Sequence, residues 1–128
     1  MNVEPGAAIA VVDDDESLRH SLLRLFRSVG YSVEGFTSAR DLLSSLAARK
    51  PRCVILDLQL PDMSGVELLE RFAKLADAPP VVVITGNDDP CVRDRCVALG
   101  AQRYLRKPLD CDALLAAAAE IVGADCQP

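Results

Sequence analysis

Short apolar runs alternate along the chain with longer segments whose apolar residues recur every three or four positions. The runs predict five β-strands, and the segments between them predict amphipathic α-helices. The predicted strands are residues 8–12, 31–36, 52–57, 79–85 and 102–106. The predicted helices are residues 17–29, 39–49, 65–72, 90–99 and 111–122. Strand therefore alternates with helix throughout, which predicts an α/β fold with a parallel sheet covered on both faces.

The first predicted helix shows the pattern most clearly. Leu18, Leu22, Leu25 and Val29 fall on one helical face, and we expect that face to pack on the sheet. Gly30 follows directly and predicts the end of the helix. Right-handed crossover connections then make the predicted sheet doubly wound, with helices on both sides.

The composition narrows the class of protein. The 128 residues suffice for one domain, and half of them are hydrophobic. A net charge of -5 disfavours direct binding to nucleic acid or to an anionic membrane. The five cysteines have no zinc-ligand spacing and their number is odd, which favours a reducing compartment. We see no signal peptide and no apolar run long enough for a bilayer, so a cytoplasmic location is expected.

Polar side chains follow four of the five predicted strands. The polar residues at these strand ends are Asp13, Asp14, Asp57, Thr85 and Lys107. Gly86 follows Thr85, and Pro108 follows Lys107. Ligand sites in doubly wound sheets lie at the carboxyl ends of the strands, so we expect these residues to share one edge.

The residue types at that edge indicate phosphoryl chemistry with a divalent cation. Crowded carboxylates repel one another, so at least one pKa should rise unless a cation lies between them. Carboxylate oxygens beside water suit Mg²⁺, and an amine with a hydroxyl can stabilise a phosphoryl group. Asp15 and Glu16 are expected only to favour the start of the first helix. The single histidine, His20, is expected to face solvent without a catalytic role.

Four motifs carry a resemblance to a known family. VVDDD, VILDLQLPDMSGVELL, VVVITG and YLRKP occur in this order. Together they resemble the receiver domain of two-component response regulators, from Ile9 to about Val122. LPDMSGVELL and VVITG are most similar to the FixJ-like branch, whose members often carry a LuxR-type DNA-binding domain after the receiver.

The resemblance implies a flavodoxin-like fold with strand order 2-1-3-4-5 and five helices. It also implies a receiver domain over residues 8–122, an N-terminal tail over 1–7 and a C-terminal tail over 123–128. No output domain follows before Pro128. The chain is therefore expected to be either a single-domain regulator or the receiver part of a longer protein.

The resemblance also assigns the phosphoacceptor and its metal. Asp57 would take a phosphoryl group from a phosphohistidine on a sensor histidine kinase or phosphotransfer protein. Mg²⁺ (or Mn²⁺) would be bound by Asp14, Asp57 and the backbone carbonyl of Gln59, and partly through water by Asp13. The chain would then be a phosphoacceptor switch with self-catalysed transfer and autodephosphorylation, not a turnover enzyme.

Further residues receive roles in the same way. Lys107 would contact Asp57 and then a phosphoryl oxygen, while the Thr85 hydroxyl and the Gly86 backbone N–H would bind the remaining oxygens. Pro108 would follow a cis peptide bond. Tyr104 would change rotamer as Thr85 moves, and so alter the face formed by helix 4, strand 5 and helix 5. That face could form a homodimer or bind a target.

Two neighbouring positions bear on the lifetime of the phosphorylated state. Gln59 and Asn87 each lie two residues beyond a site residue, where the family varies and sets acyl-phosphate lifetime. Neither is an acid, so the resemblance does not imply unusually fast hydrolysis.

Two alternative functions compete with this one. DDDES loosely fits the nucleophile motif of haloacid-dehalogenase-type phosphatases, with Asp13 as nucleophile and Asp15 as acid/base. That family also needs a carboxylate pair after a further strand, and the motif LDLQLPDMSG would then have no role. The other alternative is an interaction module with an inactive site, against which the intact set of polar residues argues.

Overall fold

The computed structural model describes residues 8–48 and 50–123. The predicted N-terminal tail, Arg49 at the predicted end of helix 2, and residues 124–128 lie outside the described residues. Gly123 is the last residue of the final helix, one position beyond the predicted domain boundary.

All ten predicted elements are present in the predicted order. The strands are β1 Ile9–Val12, β2 Val33–Phe36, β3 Cys53–Asp57, β4 Val81–Thr85 and β5 Arg103–Arg106. The helices are α1 Glu16–Ser28, α2 Ala39–Leu46, α3 Gly65–Ala73, α4 Pro90–Ala98 and α5 Cys111–Gly123.

The strands form one parallel sheet in the order β2-β1-β3-β4-β5. This confirms the α/β fold and the strand order implied by the resemblance. In the register of the sheet, Val12 lies beside Leu56, and Asp57 lies beside Ile84. The ends of β1, β3 and β4 therefore meet at one edge, where the polar residues were expected.

The central strands are buried because both of their faces are covered. Alternate residues of β1, β3 and β4 pack against α2, α3 and α4 on one side, as Val12, Leu56 and Val83 do. The intervening residues, such as Val11 and Ile55, pack against α1 and α5 on the other. Strands apolar on both faces are typical of sheets covered by crossover helices.

The predicted face of α1 is partly wrong. Leu22 and Phe26 are its buried residues, whereas Val29 is 52 % exposed. The helix ends at Ser28, so Val29 lies beyond its last turn, whereas Tyr31 packs edge-on against Phe26. Gly30 has a φ of 101°, and the Tyr31 N–H donates to the Phe26 carbonyl oxygen at 3.0 Å. This arrangement is a Schellman motif, so residue 31 closes the helix instead of starting β2.

Two further expectations concern the cysteines and membranes. The four cysteines in the described part of the chain are free, and Cys53 and Cys96 are buried. Burial raises the pKa of the Cys53 thiol to about 12, which keeps it protonated and unreactive. No helix among the described residues is both long and apolar enough to cross a bilayer.

Candidate functional site

Three carboxylates meet at the carboxyl edge of the sheet. Asp13 and Asp14 follow β1, and Asp57 is the last residue of β3. One carboxylate oxygen from each lies within 4.8 Å of the others. Asp13 and Asp57 are buried, while Asp14 is exposed, so the cluster opens to water on one side. Oxygen ligands that are partly solvated and close together suit a hydrated divalent cation such as Mg²⁺.

Lys107 places a positive charge between the two buried acids. Its Nζ lies 3.4 Å from Oδ2 of Asp13 and 3.4 Å from Oδ2 of Asp57. The backbone N–H of Lys107 donates to the Thr85 carbonyl oxygen at 2.8 Å, and this bond joins the end of β5 to the end of β4. The peptide bond between Lys107 and Pro108 is cis, the geometry that the resemblance implied.

The carboxylate of Asp57 has an unusual electrostatic environment. Burial is the largest influence and raises its pKa, and the Asp13 charge acts in the same direction. The Gln59 N–H, which donates to Asp57 Oδ1 at 3.1 Å, and the Lys107 ammonium act against this rise. The expectation that one carboxyl pKa rises therefore holds, but desolvation contributes more than repulsion between carboxylates.

Asp13 is fixed by contacts that sequence reasoning missed in part. Its Oδ1 accepts the Asp15 N–H at 2.9 Å, and its carbonyl oxygen accepts Nη1 of Arg19 at 2.9 Å. The sequence gives no sign of the Arg19 contact, because a bond from a helix to the preceding loop leaves no motif. Asp15 accepts the Leu18 N–H as the N-cap of α1, which fits its expected structural role.

The Thr85 hydroxyl is engaged within the loop that follows β4. Thr85 is buried, and its Oγ1 accepts the Asn87 N–H at 3.1 Å and lies 3.3 Å from the Asn87 carbonyl oxygen, to which it donates. Gly86, between them, is exposed. Thr85 and Gly86 therefore both lie at the expected edge, and the Thr85 hydroxyl is bonded to its own loop.

Tyr104 lies on β5 and packs against the core cluster that contains Cys96 of α4. Within the described part of the chain, its shielded hydroxyl oxygen has no hydrogen-bond partner. Burial raises the pKa of Tyr104 and the charge of Asp88 adds to the rise, whereas the Asp89 backbone acts in the opposite direction. The Tyr104 side chain is therefore partly buried, and its hydroxyl oxygen is shielded from water.

Helix α4 buries one side and leaves the other side exposed. Cys96 is buried and Val97 is 58 % exposed. The two arginines that border this face are both paired: Arg103 with Glu120, and Arg106 with Asp88 at 3.2 Å. His20, on α1, is exposed as expected.

Comparison with known proteins identifies the family. A family model described as the response regulator receiver domain matches residues 9–119. This chain belongs to that family. The receiver domain is 41% identical over 102 residues to nodulation protein W of Bradyrhizobium diazoefficiens, covering 80% of this chain and 45% of that protein. It is 35% identical over 108 residues to the transcriptional regulatory protein FixJ of the same species, covering 84% and 53% respectively. The FixJ-like resemblance is consistent with these matches.

Solved structures agree with this assignment. The response regulator receiver protein from Burkholderia phymatum superposes with a TM-score of 0.78 at 40% identity, covering 90% of this chain and 94% of that one. A CheY-like receiver domain from Methanospirillum hungatei JF-1 gives a TM-score of 0.84 at 29% identity, covering 91% and 93%. The receiver domain spans about half the length of the curated relatives it matches. The matches assign the chain to two-component signalling and give no support to the phosphatase alternative.

Proposed function

We propose that this receiver domain accepts a phosphoryl group on Asp57 from a phosphohistidine of a sensor histidine kinase or phosphotransfer protein. The observation that carries the proposal is the position of Asp57. It is a buried carboxylate beside the Lys107 ammonium, and two further carboxylates lie close enough to share a cation. The protein would act once per signal, as a phosphoacceptor switch with self-catalysed transfer and autodephosphorylation and not as a turnover enzyme.

The transfer follows from the chemistry of these groups. A carboxylate oxygen of Asp57 attacks phosphorus as the bond from phosphorus to the imidazole nitrogen breaks. The products are an acyl phosphate on Asp57 and an unphosphorylated histidine on the donor. Lys107 already lies at 3.4 Å from this carboxylate, and it neutralises charge on the incoming group.

The acidic cluster fits Mg²⁺ or Mn²⁺. Asp14, Asp57 and the backbone carbonyl of Gln59 would bind the ion, with Asp13 partly through water. A bound divalent ion supplies charge neutralisation for the phosphoryl oxygens and a fixed geometry for the transfer. Asp14 is the exposed member of the cluster, which leaves room for the water molecules that Mg²⁺ retains.

The switch begins when Thr85 changes its hydrogen bond. Its hydroxyl donates to the Asn87 carbonyl oxygen, so binding a phosphoryl oxygen requires that bond to break. The Gly86 N–H would bind another phosphoryl oxygen. The loop then moves, and the packing of Tyr104 beside α4 changes with it. Gln59 and Asn87, both exposed at the edge, influence the lifetime of the phosphorylated state.

The output surface is the face of α4, β5 and α5, which could form a homodimer or bind a target. Its exposed Val97 offers apolar area for such a contact. The net charge of -5 disfavours direct binding to nucleic acid, and we expect a domain that takes its phosphoryl group from a histidine kinase to work in the cytoplasm. The proposed domain comprises residues 8–122, and α5 extends one residue further, to Gly123.

Intact-mass spectrometry tests the proposal. Incubation with acetyl phosphate and Mg²⁺ should add one base-labile phosphoryl group, and EDTA should prevent it. Asp57→Asn should abolish the addition, because an amide is not a nucleophile in this reaction. Asp13→Asn keeps the side-chain size and tests the rival nucleophile. Labelling of Asp57→Asn together with loss of labelling in Asp13→Asn would favour the phosphatase mechanism and refute the proposal.

A further inference from the structure

The loop between β3 and α3, residues 58–64, carries Gln59 next to the acidic cluster. Its ends are held by the sheet and by close backbone packing. The Leu58 N–H donates to the Ile84 carbonyl oxygen at 3.2 Å, and the Gly65 N–H donates to the Leu58 carbonyl oxygen at 2.8 Å. A Cβ at Gly65 would lie 2.7 Å from the Leu58 Cα, so only glycine allows this approach. The loop is therefore pinned where it leaves the sheet and where α3 begins.

The middle of the loop is held by a different element. Oδ1 of Asp62 accepts the Ala39 N–H at 3.2 Å, and Oδ2 accepts the Arg40 N–H at 3.0 Å. Nε of Arg40 adds an ion pair at 3.7 Å, to an Asp62 side chain that is 20% exposed. One carboxylate thus joins the loop to the first turn of α2, more than twenty residues earlier in the sequence.

The electrostatics favour the ionised form of Asp62. Partial burial alone would raise its pKa, but the two backbone N–H groups and the Arg40 charge lower it overall. The positive end of the α2 dipole acts on a carboxylate in the same sense. At neutral pH the group is therefore a charged acceptor for both N–H bonds.

Helix α2 already has a cap of its own. The Ser38 side chain accepts the Asp41 N–H at 3.2 Å, the usual arrangement at a helix start. Asp62 takes the two preceding N–H groups, which the Ser38 hydroxyl does not bind. A loop residue that caps a distant helix restrains the loop as much as it stabilises the helix.

We propose that Asp62 is a positioning residue for the metal site: it fastens the loop to the start of α2 and so fixes the Gln59 carbonyl toward the acidic cluster. The inference rests on the proposed Mg²⁺-dependent phosphorylation of Asp57. Asp62 contacts neither the ion nor the phosphoryl group. If the Asp62 contacts favour Mg²⁺ binding, then Mg²⁺ binding favours the Asp62 contacts by the same free energy. Mg²⁺ should therefore strengthen the two bonds at the start of α2.

The test compares two caps of the same helix. Asp62→Ala and Ser38→Ala each remove an acceptor from the first turn of α2, and both should lower the melting temperature. Only Asp62→Ala releases the loop. Titration with MgCl₂, followed by calorimetry, should show affinity weakened about tenfold in Asp62→Ala, as for lost outer-shell partners, and unchanged in Ser38→Ala. Asp62→Asn keeps one acceptor oxygen and should restore part of the affinity.

A second readout reports the coupling directly. Amide hydrogen exchange at Ala39 and Arg40 should slow when Mg²⁺ is added to the unmutated protein and to Ser38→Ala. In Asp62→Ala the exchange rates at Ala39 and Arg40 should not change when Mg²⁺ is added. If Asp62→Ala does not fold, the rates in Asp62→Asn should change less than in the unmutated protein.

Two results would overturn the inference. Equal Mg²⁺ affinity in the Asp62 variants and the unmutated protein, or an equal loss in Ser38→Ala, would reduce Asp62 to a helix cap. An unmutated protein that binds no Mg²⁺ would instead refute the proposed function and this inference together. The unmutated control thus distinguishes the two failures.

Discussion

Asp57→Asn should stabilise the metal-free protein, although it removes the proposed phosphoacceptor. The substitution keeps the shape of the side chain and removes the negative charge of a residue that is only 4 % exposed. The pKa of Asp57 is raised in the folded state, so folding favours its protonated form. The folded state then binds more protons than the unfolded state between the ordinary and the raised pKa, and stability falls as pH rises through that window. The Asp57→Asn protein does not lose stability in this way, because the asparagine side chain does not ionise.

The magnitude follows from distances in the site. The Lys107 ammonium at 3.4 Å attracts the Asp57 carboxylate by about 5 kcal/mol at an effective dielectric constant of about 20. That attraction is reduced by the partial exposure of Lys107. The Asp13 carboxylate, within 4.8 Å, repels it by about 3.5 kcal/mol on the same scale. Desolvation costs several kcal/mol more, so the charge is a net cost, and we expect Asp57→Asn to gain about 2 kcal/mol.

Thermal unfolding in EDTA as a function of pH measures this gain. At pH 7 the melting temperature of Asp57→Asn should exceed that of the unmutated protein by roughly 8 °C. This difference in melting temperature should vanish below the ordinary aspartate pKa, where both side chains are neutral. It should be smaller in Mg²⁺, because the ion stabilises the unmutated site. Asp94→Asn, an exposed control on α4, should change little. An Asp57→Asn protein less stable than the unmutated one at pH 7 in EDTA would refute the reasoning.

Gly65→Ala should destabilise the protein by about 1–3 kcal/mol, as measured by urea unfolding, because the new Cβ would lie 2.7 Å from the Leu58 backbone. Unchanged stability would contradict this close contact. Asp14→Ala should weaken Mg²⁺ binding in calorimetry more than Asp13→Ala, and the reverse order would contradict direct ligation by Asp14. In NMR with beryllofluoride and Mg²⁺, shifts should reach residues 91–106 in the unmutated protein but stay near the site in Thr85→Ala; shifts confined to the site in both would exclude the proposed output face.

The fold and the meeting of the acids could be predicted because they depend on simple periodicities. Runs such as Val81–Thr85 are apolar on both faces, as is typical of a parallel sheet covered on both sides. The ends of parallel strands then meet at one edge, whatever the details of the loops. For this reason Asp13, Asp57 and Lys107 could be placed together from sequence, and the structure brings them within ion-pair distance.

The rest depends on the path of the chain between elements, which the periodicity of apolar residues does not encode. Val29 fits the periodicity of α1 but lies beyond its last turn, and Phe26 takes the core position instead. The bonds of Arg19 to Asp13 and of Asp62 to the start of α2 require the path of loops in three dimensions. The Thr85 hydroxyl could likewise be placed at the edge, but its engagement with its own loop could not.

The location of the phosphoryl group tests the central claim most directly. After incubation with acetyl phosphate and Mg²⁺, borohydride reduces an acyl phosphate to an alcohol and so marks the aspartate that carried it. Peptide mapping by mass spectrometry then identifies the residue. We expect conversion of Asp57 to homoserine, with Asp13 and Asp14 unmodified. Conversion of Asp13 or Asp14 in place of Asp57, or no conversion when intact-mass analysis shows phosphorylation, would contradict it.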